Sequence, residues 1–283
     1  MKILIIGANG FIGSHCATYF AKKNEIFTPE KTVNFEDLFQ MQKFDVCINA
    51  SGSANVGFSF ENPAKDFELN VANVQKILSA IRTYNPKCKF INFSSAAVYG
   101  NPISLPISEN ASLKPLSPYG FHKLQSEYLL TEYHKFFGLH TCSLRIFSAY
   151  GQGLKKQLFW DLYQKYLQNQ QEIVIFGTGQ ESRDFIFIDD LIKAVEIILE
   201  KNNFEGQTIN VASGNETTIK EVVNTFFGIL DNKTQIVFSG KAKIGDPNNW
   251  CADIEQLKNL GFKPQFDLKT GLTHYIQWLK EKK

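Results

Sequence analysis

The sequence predicts an α/β fold in which a doubly wound parallel sheet is followed by a smaller C-terminal lobe. Three observations predict it. Short β-branched and apolar runs alternate with longer helical patterns through the first half of the chain. A glycine-spaced turn follows the first of those runs directly. Past about residue 150 the alternation gives way to shorter, irregular elements.

"KILII" (2–6) has the continuous apolar character of a buried strand and ends at Gly7. From Phe11 to about Lys23 the pattern is helical. "EIFT" (25–28) reads as a second strand, stopped by Pro29, and "FDVCINAS" (44–51) and "KFINFSS" (89–95) as two more. Between the last two, a helix is expected from Pro63. Asn62 is its expected cap, and Phe67, Val71, Val74, Ile77, Leu78 and Ile81 recur at helical spacing. "SPYGFHKLQSEYLLTEYHKFFG" (117–138) reads as a helix capped by Ser117, opened by Pro118 and closed by Gly138. The strand "HTCSLRIF" (140–147) follows at once.

Beyond it come strands "EIVIFG" (172–177), "RDFIFI" (183–188) and "TINVAS" (208–213), with helices over 190–201, 217–228 and 268–281. Residues 1–150 are read as the first lobe and 151–283 as mainly the second, with elements near 183–212 exchanged between them. No repeat and no low-complexity linker interrupts the chain.

The 283 residues are 43% hydrophobic and 20% charged, the balance of an ordinary globular protein. A net charge of +2 gives no broad basic field, which argues against a nucleic-acid or anionic-membrane partner. No apolar stretch approaches the roughly 18 residues of a membrane helix. The five cysteines, Cys16, Cys47, Cys88, Cys142 and Cys251, form no CxxC pair and no zinc-site spacing. Free buried thiols in a reducing compartment, hence a cytoplasmic protein without a metal, are expected.

Gly7, Gly10 and Gly13 are spaced G-x-x-G-x-x-G between a strand and a helix. Residues without a Cβ let backbone amides at a helix N-terminus approach a pyrophosphate, so the turn points to a dinucleotide in a Rossmann-type fold. Glu30, past the second strand, would accept hydrogen bonds from the adenosine ribose of NAD. Lys31 beside it would instead meet the extra phosphate of NADP, so both cofactors stay open.

Tyr119 and Lys123 are four residues apart, the spacing that brings side chains together on one helix face. A phenol holds its proton to pH ~10 in water. An adjacent ammonium favours the phenolate and pulls that value down, so the pair is either an ordinary helix surface or a tuned acid/base couple.

Together "GANGFIG" (7–13), "FSSAAVYG" (93–100) and "YGFHK" (119–123) resemble the extended short-chain dehydrogenase/reductase family, the NAD-dependent epimerase/dehydratase group that modifies nucleotide sugars. "LRIFSAYG" (144–151), "RDFIFIDDL" (183–191) and "GDPNNWCADIEQLKNLGFKP" (245–264) extend the resemblance over nearly the whole chain. The resemblance implies that Tyr119 is the acid/base, Lys123 its partner and Ser95 the hydroxyl that orients the substrate. It places Gly7, Asn9, Gly10, Phe11, Ile12, Gly13, Glu30, Ala50, Asn70 and Ser94 around the cofactor, with Tyr119 and Lys123. It implies that the second lobe holds the nucleotide sugar, Arg183 gripping the diphosphate, Phe185 flanking the base, and Lys243, Trp250, Ser148 and Ser95 completing the contacts. Relatives pair through helices equivalent to 63–82 and 117–138, so a homodimer is expected.

Ala96 and Ala97 follow Ser95 where dehydratases of the family carry an Asp-Glu pair, which argues against dehydration. They also leave no cysteine for a double epimerisation of the GDP-fucose synthase kind. Two reactions remain. The short segment "KTVNFEDLFQMQK" (31–43) and the chain length favour a 4-keto-sugar reductase. The alternative is a nucleotide-sugar 4-epimerase, to whose UDP-glucose-specific members "SSAAVYG" is similar. Retention of Ser95, Tyr119 and Lys123 argues against a non-enzymatic, cofactor-sensing member.

Overall fold

In the computed structural model, which describes residues 1–230, 233–241 and 247–281, the apolar run at the N-terminus forms strand β1 (Lys2–Ile6). Ile3 and Ile5 face one side of the sheet and Leu4 and Ile6 the other, all buried. A strand covered on both faces reads as an unbroken apolar run, and this one is. It leads through the glycine turn into helix α1 (Phe11–Phe20) and then to β2 (Glu25–Phe27), α2 (Phe35–Met41) and β3 (Val46–Asn49). Helices α3 (Val56–Glu61), α4 (Pro63–Phe67) and α5 (Asn73–Tyr84) precede β4 (Lys89–Ser95). Helix α6 (Pro118–Phe137) and β5 (Thr141–Ile146) complete the first half.

The second half contains β6 (Ser148–Tyr150), α7 (Gln157–Gln168), β7 (Glu172–Ile175), β8 (Ser182–Phe187) and α8 (Ile188–Lys201). It ends with β9 (Glu205–Val211), β10 (Glu216–Thr218), α9 (Ile219–Leu230), β11 (Gln235–Phe238), α10 (Glu255–Asn259) and α11 (Leu268–Glu281).

Six strands form one parallel sheet in the order β2-β1-β3-β4-β5-β9. Helices α2, α5 and α6 cover the face carrying Leu4, Cys47 and Phe90. Helices α1 and α8 pack on the opposite face, whose core is continuous with that of the C-terminal elements. The expected doubly wound α/β sheet is thus present. The chain leaves β1 toward β2 on one side and returns to β3 on the other, which opens a crevice at the carboxyl ends of β1 and β3. A three-stranded sheet, β10-β8-β6, and a parallel pair, β11-β7, stand apart from the six.

Local expectations fail in instructive places. The helix expected from Pro63 is not continuous: α4 passes through a π turn at Glu68–Ala72 before α5 begins. Asn62 makes no side-chain capping bond, because it also closes α3, a helix the sequence reading did not expect. By contrast, Ser117 Oγ accepts from Gly120 N at 3.2 Å, and Gly138 closes α6 at φ +69°. "EIVIFG" is a strand, but it pairs with β11 rather than with the main sheet. All five cysteines are unpaired, and four are buried. No helix among the described residues is long and apolar enough to cross a membrane.

Candidate active site

The glycine turn closes with Gly10 N donating to Gly7 O at 2.9 Å. Gly7 has φ +86°, and a Cβ there would lie 2.6 Å from Ser51 N and 2.7 Å from the Ala50 carbonyl. A Cβ on Gly13 would fall 2.2 Å from Gly7 O. These two glycines set the approach of β1, β3 and α1. Gly10 is different: it is exposed, and it caps α1 in an extended conformation with no side chain on the free amides and no acidic residue in the first turn. Asn9 is exposed beside it, and Phe11 and Ile12 are half-buried. An open helix N-terminus at the switch point fits a pyrophosphate. Gly13→Ala is expected to abolish NAD binding and lower the melting temperature, because the methyl group would displace the turn itself; calorimetry with NAD checks it.

Across the crevice, buried amides run from β3 to α6. Ser51 Oγ donates to Asn49 Oδ1 (2.6 Å), Asn49 Nδ2 to Asn92 Oδ1 (2.8 Å), Asn92 Nδ2 to Ser126 Oγ (3.2 Å), and Ser126 Oγ to Lys123 O (2.7 Å). Asn70 sits in the π turn, 1% exposed, and neither polar atom of its side chain has a partner among the described residues. Single π turns mark functional positions, and buried unpartnered amides are rare. An amide held this way fits a ligand that brings its own donors and acceptors.

Ser95 ends β4, and its Oγ accepts from Ala97 N at 3.2 Å. Tyr119 lies in the first turn of α6, 7% exposed, and Lys123 one turn on, 6% exposed. Lys123 Nζ donates to Phe93 O at 2.9 Å and lies 5.9 Å from the centre of the Tyr119 ring. The expected downward shift of the tyrosine is absent in the protein alone. Burial pushes the Tyr119 phenol up to about 12; a hydrogen bond with Ser95 opposes this and Asp66 reinforces it. Burial also pushes Lys123 down to about 8, against the pull of Asp66 and Glu127. Desolvation is the largest cause of both shifts and acts toward the neutral form of each group.

Ser94 is buried and donates to Glu127 Oε1. Glu127 is gripped by Arg145, with Nη2 2.8 Å from Oε2. The sequence reading missed Glu127, Arg145, Asp66 and His122. A signal for Glu127 existed, since Tyr119, Lys123 and Glu127 repeat every four residues along one helix face.

A second group comes from the C-terminal elements. Arg183 on β8 donates to Ser182 O (2.8 Å) and Asn248 O (3.1 Å), and its guanidinium stands 5.6 Å from the Trp250 ring. Trp250 Nε1 donates to Gly100 O at 2.9 Å, which ties it to the segment following Ser95. Ser148 is half-buried and in register with Phe185, whose ring packs on Tyr150 and Phe159. The structure therefore joins Trp250 and Arg183 to the segment after β4. Glu30 stands apart, exposed and three residues past the edge strand β2. Lys243 lies outside the described residues.

An open helix N-terminus at a sheet switch point, with a Ser-Tyr-Lys group beside it whose tyrosine and lysine are buried, defines a dinucleotide-dependent α/β enzyme. The chain belongs to the NAD dependent epimerase/dehydratase family, whose model matches residues 3–212. It is 31% identical to a putative UDP-glucose 4-epimerase of Methanocaldococcus jannaschii, over 98% of this chain and 98% of that one. It is 33% identical to the uncharacterized UDP-glucose epimerase YtcB of Bacillus subtilis, over 99% and 98%. Among solved structures, UDP-glucuronic acid 4-epimerase from Bacillus cereus, in complex with UDP-glucuronic acid and NAD, superposes with a TM-score of 0.90 at 28% identity, covering 100% of both chains. These likenesses favour the epimerase alternative over the 4-keto-sugar reductase that the sequence reading put first.

Proposed function

We propose that the protein is a nucleotide-sugar 4-epimerase that retains its NAD through the cycle. The observation that carries this is full-length similarity to two relatives named as UDP-glucose epimerases, together with the half-buried Ser95 and the buried Tyr119 and Lys123 beside the crevice. Gly7, Gly10 and Gly13 admit the pyrophosphate, Asn70 and Lys123 hold the nicotinamide ribose, and Glu30 takes the adenosine ribose. Bound there, NAD supplies the reversible hydride acceptor.

The residues of the chain do the rest. Ser95 orients the sugar 4-hydroxyl toward Tyr119. Tyr119 removes the hydroxyl proton as the C4 hydrogen departs with its electron pair, which leaves a planar ketone. Returning hydrogen to the opposite face inverts the centre, so the sugar turns in the site before Tyr119 gives the proton back. Residues 151–283 supply most of the grip on the nucleotide that permits this turn. Arg183, backed by Trp250, takes the diphosphate; Ser148, Phe185 and Lys243 serve the remaining contacts.

The reaction is tested by incubating the purified protein with UDP-glucose and other nucleotide sugars without added NAD(P)H. Interconversion of 4-epimers is the expected result. Oxidation of NADPH that occurs only with a 4-keto sugar, and no interconversion, would return the reading to a reductase. Arg183→Ala should raise KM by roughly 10-fold or more, the loss of a charge-assisted phosphate contact, and leave kcat within a few-fold; an unchanged KM removes Arg183 from the diphosphate. Phe121, Tyr128 and Phe136 on α6 are 53%, 61% and 68% exposed, and a homodimer through α5 and α6 would cover them.

A further inference from the structure

Asp66 has a fully buried carboxylate in α4, one turn before Asn70. Its Oδ2 lies 2.6 Å from His122 Nδ1, and its Oδ1 has no hydrogen-bond partner among the described residues. A buried carboxylate with one oxygen unpaired costs stability, so its retention calls for a reason. His122 stands on α6 between Tyr119 and Lys123, with a side chain 12% exposed. The charge of Asp66 reaches both neighbours, favouring the protonated phenol of Tyr119 and the protonated amine of Lys123.

Other charges nearby are engaged elsewhere or face solvent. Glu127 also favours the Lys123 ammonium, but it is bound by Arg145 and Ser94. Lys65 and Glu68 pair with each other at the surface. Glu61 of α3 and Lys76 of α5 are exposed, and Arg82 of α5 stacks on Phe137. Among the described residues, Asp66 is the buried charge facing the couple from the opposing helix.

We propose that Asp66, anchored by His122, is a positioning carboxylate that keeps the Tyr119–Lys123 couple loaded with its protons, so that Tyr119 becomes a base only beside a bound cation. The proposal rests on the acid/base roles proposed for Tyr119 and Lys123. Burial weakens the hold of Lys123 on its proton and with it the support for any phenolate. The carboxylate preserves that charge and, by its repulsion, withholds phenolate formation until positive charge on an oxidised nicotinamide offsets it. Base strength is then coupled to occupancy by the oxidised cofactor.

The test is an ultraviolet titration of the Tyr119 phenolate, read as the difference between each protein and the same protein carrying Tyr119→Phe. Without cofactor, Asp66→Asn should lower the midpoint by roughly one unit, the size of shift a single neighbouring charge imposes. His122→Ala, which removes the donor and leaves the carboxylate unshielded, should raise it. His122→Asn, which keeps an N–H near the Nδ1 position, should restore the wild-type value. Added NAD should lower the midpoint in the wild type. An unmoved midpoint in a folded Asp66→Asn protein overturns the proposal, as do equal midpoints in the two His122 variants. Should Asp66→Asn fail to fold, the His122 pair decides. The titration needs no turnover, so a protein that interconverts no sugar would still answer this question, and failure of the epimerase reading stays separate.

Discussion

Tyr119→Phe is expected to lower kcat by about 10²–10⁴-fold, the usual contribution of a positioned proton donor and acceptor. The ring remains to fill its buried place, so NAD retention and substrate KM should stay near the wild-type values. Loss confined to kcat is the mark of a group that acts in the transition state rather than in binding. The pH dependence follows from the two shifts. Tyr119 must lose its proton to act, and burial pushes its phenol up while the charge of a bound oxidised nicotinamide would pull it down, so the rate should rise with pH on the acid side. Lys123, pushed down to about 8, loses the charge that supports the phenolate as pH passes that value, so the rise should bend over there. Lys123→Met should abolish the bend and depress the rate throughout. A pH–rate series on the three proteins checks both statements. A Tyr119→Phe enzyme with wild-type turnover would remove the tyrosine from the chemistry.

The parts of the site that were legible in the sequence are those fixed by local backbone chemistry. Gly7 and Gly13 announce themselves because a close approach excludes any Cβ, and Ser117, Pro118 and Gly138 bound α6 by capping rules that depend on neighbours in sequence. The hidden parts depend on what lies opposite. Asn62 looks like a helix cap, but α3 runs into it from the other side. Asp66 sits in a stretch of alternating polar and apolar residues that reads as a solvated face. Only the packing of α4 on α6 buries it against His122. The upward shift of the tyrosine in the protein alone was hidden for the same reason. Spacing shows that an ammonium is near, but not how much water is excluded, and exclusion dominates here. Arg145, like Glu127, was a buried exception that spelling could have exposed, because a guanidinium inside the apolar strand "TCSLRI" demands a carboxylate somewhere.

Arg145→Ala is expected to destabilise the protein by about 3–5 kcal/mol, the cost of stranding one member of a buried ion pair. That is a large share of the roughly 5–15 kcal/mol by which a domain is stable. Arg145 and Glu127 side chains are each 4% exposed, and the guanidinium meets the carboxylate through Nε at 3.1 Å and Nη2 at 2.8 Å. Its Nη1 donates to Tyr99 Oη at 2.9 Å and Glu109 O at 2.8 Å, and Tyr99 donates onward to Asn210 Oδ1 at 2.7 Å. One side chain thereby joins β5, α6, β9 and the segment after β4. Its removal leaves a buried carboxylate and a buried phenol short of partners at once. Urea unfolding should show the loss as a lower midpoint with an unchanged slope. The double variant Arg145→Met with Glu127→Leu should recover most of the stability, since no charge is then stranded. It should not recover full turnover, because Ser94 loses its acceptor beside Ser95 and the Tyr119–Lys123 helix face loses its anchor on the sheet. Recovery of both together would make the pair a matter of stability alone.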